Sequence, residues 1–289
     1  MNISVNVVLI SPPGPLSEAI RNQLAMRERA LVTIDADDLY TVDTALLRDA
    51  IVIDADVLAY CQLIDGVSDE CHTRRLAARE SLLESCRALE VPYLFLSDGR
   101  VFDGIAEQPH DYLEADDIVP ASSAGKQFAE FEDLVMSVAE QGVILRTGPL
   151  IAEEEGNFLG DCLVTMREGK VLALNDSLMS CPTPVADLAR VVSGMVDQLS
   201  CGAPCRGVYH YNSSGVASAY EFAEVVCAFA SQFVAPVADI AVDDAGVTWT
   251  PSVPVLSCGK VLQDFGIKQL PWRAYLPRMV RAVCEGVSK

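Results

Sequence analysis

An α/β fold with a doubly wound parallel sheet, followed by a smaller α/β lobe, is what this 289-residue sequence predicts. Three observations predict it. Short apolar runs rich in β-branched residues alternate with stretches of helical spacing, the pattern of βαβ units. The first run, Val5 to Ile10, is largely apolar and rich in β-branched residues, as a central parallel strand would be. The alternation is regular as far as Pro149 and loosens after it. That divides the chain into a Rossmann-like nucleotide-binding domain over 1–150 and a smaller lobe occupying mainly 151–289, with interleaved boundaries.

The elements follow in order. "VNVVLI", Val5 to Ile10, reads as a central parallel strand, "SPPGP" as a loop and "LSEAIRNQLAM" as a helix. "ALVTID" is a second strand ending at Asp35, and "AIVID" a third. The long helical pattern "TRRLAARESLLESCRALE" leads to the strand "VPYLFLSDG". "KQFAEFEDLVMSVAEQ" is a helix and "GVILRTG", Gly142 to Gly148, the next strand. Right-handed crossovers are expected throughout. Beyond Pro149, "NFLGDCLVTMREGK" reads as a helix, "VLAL" as a strand, "TPVADLARVVSGMVDQL" as a helix and "GVYHYN" as a strand. "SAYEFAEVVCAFA" and "LPWRAYLPRMVRAVCEG" supply the last helices. The lobe is expected to lie over the carboxyl ends of the strands, where open α/β sheets bind ligands.

Composition narrows the function. Hydrophobic residues make up 51% and charged residues 21% of the chain, and mean hydropathy is +0.26, which means a large core and no disorder. A net charge of −20 repels nucleic acid and anionic lipid, and serves solubility. No run approaches a membrane span, and "MNISVNVVLI" reads as a buried strand with no leader features. The ten cysteines read as reduced thiols of a cytoplasmic protein. Cys201 and Cys205 flank "GAP", but His72, His110 and His210 are scattered, so no metal site is expected. Trp249 and Trp272, and Tyr209, Tyr211 and Tyr220, read mainly as packing residues.

A dinucleotide fold needs a glycine-rich turn after its first strand, so that the backbone can approach the pyrophosphate. Here the turn is "SPPGPLS", with only Gly14 left and prolines at 12, 13 and 15 removing donors. Asp35, ending the second strand, suits either ribose hydroxyls or a loop cap.

"SDGRVFDG", "VILRTGPLI", "NDSLMSCPTPVADLA", "GVYHYNSSGVASAYEFAEVV" and "FGIKQLPWRAYL" stand in that order along the chain. Together they resemble successive blocks of the dTDP-4-dehydrorhamnose reductase (RmlD-like) family of extended short-chain dehydrogenases. The resemblance implies hydride transfer from NAD(P)H to a 4-keto sugar nucleotide. It also implies a Ser/Thr–Tyr–Lys set in which tyrosine supplies the proton and lysine lowers its pKa.

The departures are concentrated at that set. The threonine position falls on Asp98. In "PASSAGKQFAEFEDL", with Gly125 as the matching glycine, the tyrosine falls on Ala124 and the lysine on Phe128. A register slid by two pairs Ser122 with Lys126 instead. "DADV" puts Asp54 and Asp56 where a dinucleotide would pass, and Arg75 stands at the family's helix asparagine. Candidate cofactor contacts are Gly14, Leu16, Asp35 and Ser97, and candidate substrate contacts are Arg146, Asn157 and Phe158.

The expectation is a non-catalytic binding or regulatory member, with NAD(P) held weakly if at all. Its partner would be a protein, a second copy or a nucleotide-sugar, after the precedent of the methionine adenosyltransferase β subunit, which resembles these reductases. The alternative is a working nucleotide-sugar reductase with Asp98, Ser122 and Lys126 as relocated acid–base groups.

Overall fold

A computed structural model describes residues 6–61, 68–104, 111–153, 157–233, 239–249 and 253–286. The sequence readings that fall on residues 1–5 and on His110 lie outside them. In chain order the elements are β1 (Asn6–Ile10), α1 (Pro15–Ala25), β2 (Leu31–Ile34), β3 (Ala50–Asp54), α2 (Asp56–Cys61) and α3 (Asp69–Ala88). Next come β4 (Tyr93–Asp98), α4 (Ser123–Val138), β5 (Gly142–Thr147), β6 (Leu150–Ile151), α5 (Phe158–Arg167) and β7 (Leu172–Leu174). They are followed by β8 (Met179–Ser180), β9 (Thr183–Pro184), α6 (Val185–Ser200), β10 (Gly207–Tyr211) and β11 (Ala217–Ser218). The chain closes with α7 (Ala219–Ala230), β12 (Ile240–Val242), α8 (Gly259–Phe265) and α9 (Leu276–Gly286).

The main sheet has six strands in the order β10-β5-β4-β3-β1-β2, every neighbouring pair parallel. The chain leaves β1 toward β2, then crosses back to build the other side from β3. Right-handed crossovers therefore put helices on both faces. Helix α1 packs against α6, and α3 against α4. Strands β3, β4 and β5 are buried along their whole length, which is why their sequences carry no polar alternation. The "GVYHYN" strand, from the second half of the chain, forms the sheet's edge as β10 beside β5.

Two apolar cores are present. One runs under the sheet from Val7 to Leu150 and takes in α6, β10 and the Leu256–Ile267 stretch. The other joins α5, α7 and α9 around Phe158, Phe222, Trp249 and Trp272. Short strand pairs β6–β9, β7–β12 and β8–β11 tie the smaller lobe together. Side chains fix where helices begin. Ser68 caps α3 by accepting from the Cys71 N–H, with Asp69 and Glu70 in the first turn. Ser218 and Glu221 form a capping box on α7.

Candidate functional site

The strand order reverses between β1 and β3, and the ends of these strands are where an open sheet takes its ligand. At the end of β1, Gly14 is the N-cap of α1 and makes no side-chain cap bond, while Pro15 opens the helix. Leu16 is buried in the core beneath the sheet. Asp35 is exposed and accepts from the Asp37 N–H, so it caps a short turn after β2. These three predicted contacts thus serve the local folding of two turns.

At the end of β3 the site is filled by charge. Asp54 accepts from Arg79 Nε at 2.5 Å, from Arg79 Nη2 at 3.0 Å and from the Tyr93 hydroxyl at 2.6 Å. Asp56 accepts from Arg79 Nη2 at 2.8 Å and also pairs with Arg75. Asp54, Asp56, Arg75 and Arg79 are 0%, 1%, 6% and 0% exposed. Arg79 also lies 5.0 Å over the Phe131 ring. Burial pushes the Asp56 carboxyl up, partly offset by Arg79. Burial pulls the Arg79 guanidinium down, but Asp54 and Asp56 outweigh it and hold its pKa above the ordinary value. Burial, then the Asp54 charge, pushes the Tyr93 phenol well up.

The predicted acid–base positions gather at the start of α4. Ser122 is the N-cap of that helix, accepting from the Gly125 N–H at 2.9 Å. A Cβ on Gly125 would meet the Arg100 carbonyl oxygen at 2.5 Å, so only glycine fits there. Ala124 and Phe128, assigned from the sequence to the tyrosine and lysine positions, stand with it on α4. Both are 0% exposed. Asp98 is also fully buried and holds Arg100 through Nε at 3.1 Å and Nη2 at 2.8 Å. The Arg100 guanidinium in turn lies 5.7 Å from the Phe128 ring centroid. An ion pair and a ring thus lie together at the start of α4. Lys126 is exposed on the outer side of the first turn.

Further along α4, Glu132 accepts from Ser97 Oγ at 2.5 Å and from Arg146 Nε and Nη2 at 2.9 and 2.6 Å. Arg146 Nη1 is 3.3 Å from His210 Nε2, and His210 Nδ1 is 3.1 Å from the Tyr112 carbonyl oxygen. A guanidinium can only donate, so Nε2 accepts and Nδ1–H donates to Tyr112. The imidazole is thus neutral, and burial followed by the Arg146 charge holds its pKa down at about 3. Arg146 lies 5.0 Å over the Phe102 ring, which stacks on Tyr112 at 4.3 Å.

The predicted contacts here have partners within the chain. Ser97 donates to Glu132, and Arg146 to Glu132 and His210, inside the protein. Asn157 caps α5, accepting from the Leu159 N–H and donating to the Ala152 carbonyl. Phe158 is core, 4.7 Å from Trp249 and 5.7 Å from Phe222, because the lobe needs large rings where three helices meet.

Three residues of these clusters lay outside the sequence reading. Arg79 had a signal, since His72, Arg75 and Arg79 share the buried stripe of α3 at spacings of three and four. Arg100 stands two residues after Asp98. Tyr93 looked like any strand aromatic. A cleft of about 380 Å³, lined among others by Glu18, Asn22, Arg190, Tyr275 and Arg278, opens between α1, α6 and α9. None of the predicted site residues lines it.

The resemblance implies an NAD(P) molecule across the carboxyl ends of the strands, and the residues present do not fit that group. Three prolines take N–H donors out of the turn, and the four charges at β3 pair with one another. All three Arg79 guanidinium nitrogens are bonded within the chain, leaving none to offer a phosphate. Asp56 Oδ1, buried there without a hydrogen-bond partner, is an acceptor and offers nothing to an anion. Among the described residues, no group of side chains has metal-ligand composition, and no helix is long and apolar enough to cross a membrane.

Residues 6–284 match the sequence model of the RmlD substrate binding domain. A dTDP-4-dehydrorhamnose reductase of Sinorhizobium fredii is 30% identical over 210 residues, 71% of this chain and 70% of that protein. The spore coat polysaccharide biosynthesis protein SpsK of Bacillus subtilis is 28% identical, over 70% of this chain and 68% of its own length. Among solved structures, a dTDP-4-dehydrorhamnose reductase of Clostridium acetobutylicum superposes with a TM-score of 0.75 at 20% identity, covering 95% of this chain and 98% of that one. The Bacillus anthracis reductase in complex with NADP superposes with a TM-score of 0.75 at 17% identity, over 96% and 99% of the two chains. A Rossmann-like sheet with its helices and lobe, carrying the family's blocks in order, belongs with the sugar-nucleotide reductases: the chain is a member of the RmlD substrate binding domain family, that of dTDP-4-dehydrorhamnose reductase.

Proposed function

We propose that this chain is a nucleotide-sugar-binding member of the reductase family that does not reduce its ligand by the tyrosine–lysine route. One observation carries the reading. Ala124 and Phe128, which the family resemblance puts at the positions needing a proton donor and a cation, are fully buried, and the Asp98-paired Arg100 guanidinium lies 5.7 Å from the Phe128 ring centroid. An alanine has no proton to give. Asp98 directs its oxygens at Arg100 as acceptors. The work left to such a protein is binding, with regulation of a partner protein or of a second copy as its use. Nine free cysteines among the described residues support a reducing, cytoplasmic setting.

The second reading is a reductase with relocated acid–base groups. It is favoured by the relatives, which are named as dTDP-4-dehydrorhamnose reductases, and by the NADP in the Bacillus anthracis structure. Exposed Lys126 and capping Ser122 would then do the proton work.

Calorimetric titration with dTDP- and UDP-sugars, beside an assay of NAD(P)H oxidation with a dTDP-4-keto sugar, tests the proposal. Saturable sugar-nucleotide binding without oxidation is expected. Oxidation on the order of 1 s⁻¹, an ordinary enzyme rate, overturns it.

A further inference from the structure

The four charges at the switch point pair with one another, with Asp56 Oδ1 alone among their carboxylate oxygens lacking a hydrogen-bond partner. Two carboxylates, Asp54 and Asp56, meet two guanidiniums, Arg75 and Arg79, so the unit is neutral. It joins the end of β3, the start of α2, the middle of α3 and, through Tyr93 and Phe131, β4 and α4. A bound dinucleotide would tie together the same strand ends from outside. Here the chain does so from within, behind a turn whose prolines remove donors.

We infer that this cluster stands in place of the dinucleotide, so that the sheet's carboxyl edge is complete without NAD(P) and presents no cation to a pyrophosphate. The inference goes beyond the proposed function, since a chain lacking the tyrosine and lysine could still hold a dinucleotide. Its electrostatic content is specific. Removing the Asp56 charge while keeping its shape leaves the cluster with a net positive charge at the switch point, which attracts an anionic ligand in a salt-dependent way.

The test is titration of the full chain and of Asp56→Asn with NADH and NADPH, by calorimetry and thermal shift. For the wild type, a Kd weaker than about 10 μM and a melting shift under about 1 °C are expected. For Asp56→Asn, affinity should rise about tenfold and fall again with added salt. Wild-type binding tighter than about 10 μM overturns the inference, and so does an Asp56→Asn affinity no better than the wild type's. Should Asp56→Asn fail to fold, hydrogen exchange on the wild type decides. Amides of Asp54–Leu58 and Arg75–Arg79 should exchange slowly in the free chain and be unchanged by NADH. Fast exchange that NADH slows would contradict the inference. Tight binding without turnover sinks this inference alone, whereas turnover sinks the proposed function as well.

Discussion

The carboxyl edge of the sheet and the core of the C-terminal lobe are both closed to water, by opposite means. At the sheet edge, Asp54, Asp56, Asp98, Arg75, Arg79 and Arg100 are buried as ion pairs. In the lobe, Phe158, Phe222, Trp249 and Trp272 meet ring to ring, with centroids 4.7–5.7 Å apart. Apolar packing loses stability in proportion to what is removed. A buried charge tolerates no loss of its partner, because the survivor stays desolvated and unpaired. The comparison teaches why the departures from the family pattern occur together. Once Asp54 and Asp56 are buried, Arg75 and Arg79 must be there to meet them, and Asp98 needs Arg100 in the same way.

The contrast predicts a ranking of substitutions. Arg79→Met should have the largest effect, about 3–5 kcal/mol of lost stability in urea unfolding, since Asp54 and Asp56 lose the guanidinium donors and Asp54 is left with the Tyr93 hydroxyl. A loss below about 1 kcal/mol would mean that the cluster is solvated. Ala124→Tyr with Phe128→Lys should destabilise by about 2–4 kcal/mol and restore no turnover, because the new ammonium meets the Arg100 cation in a dry site. A stable, active double variant would show that the pocket beneath Arg100 is open.

His210 supplies the pH dependence. Its folded pKa of about 3 lies below the ordinary 6.5. As pH falls below 6.5 the unfolded chain takes up this proton and the folded chain does not. The stability His210 contributes is therefore whole above 6.5 and is lost as pH falls toward 3, at up to about 1.4 kcal/mol per pH unit. Unfolding midpoints at pH 7, 6 and 5 should fall less steeply in His210→Gln than in the wild type. Equal slopes would place the titration elsewhere. The smallest effect is expected in the lobe. Phe158→Leu keeps most of the apolar volume and should cost about 1 kcal/mol, with no change in sugar-nucleotide binding. Lost binding at unchanged stability would return Phe158 to the ligand cleft.

Much of the fold was legible because buried parallel strands announce themselves as unbroken apolar runs. β3 and β4 stand within a residue or two of "AIVID" and "VPYLFLSD". At α4, the Gly125 singled out from the sequence stands where the Arg100 carbonyl leaves no room for a Cβ. The predicted contacts were less legible. Asn157, Asp35 and Ser122 are residue types equally suited to capping and to binding, and their neighbours in space decide between the two. Arg79's partner is hidden by distance, since Asp54 lies 25 residues before it and only the α3 stripe hints at its burial, whereas Arg100 stands two residues from Asp98 and its burial is what the sequence does not show.

The central claim is that the chemistry of the tyrosine–lysine pair is gone while the fold is kept. The most direct measurement is NAD(P)H oxidation with a dTDP-4-keto sugar by the wild type and by Lys126→Ala at matched concentration. No turnover above background in either protein is predicted, with Lys126→Ala within about 0.5 kcal/mol of wild-type stability, because that side chain is exposed. Wild-type turnover of about 1 s⁻¹ or more, abolished in Lys126→Ala, would contradict the account and make Lys126 the relocated acid–base group.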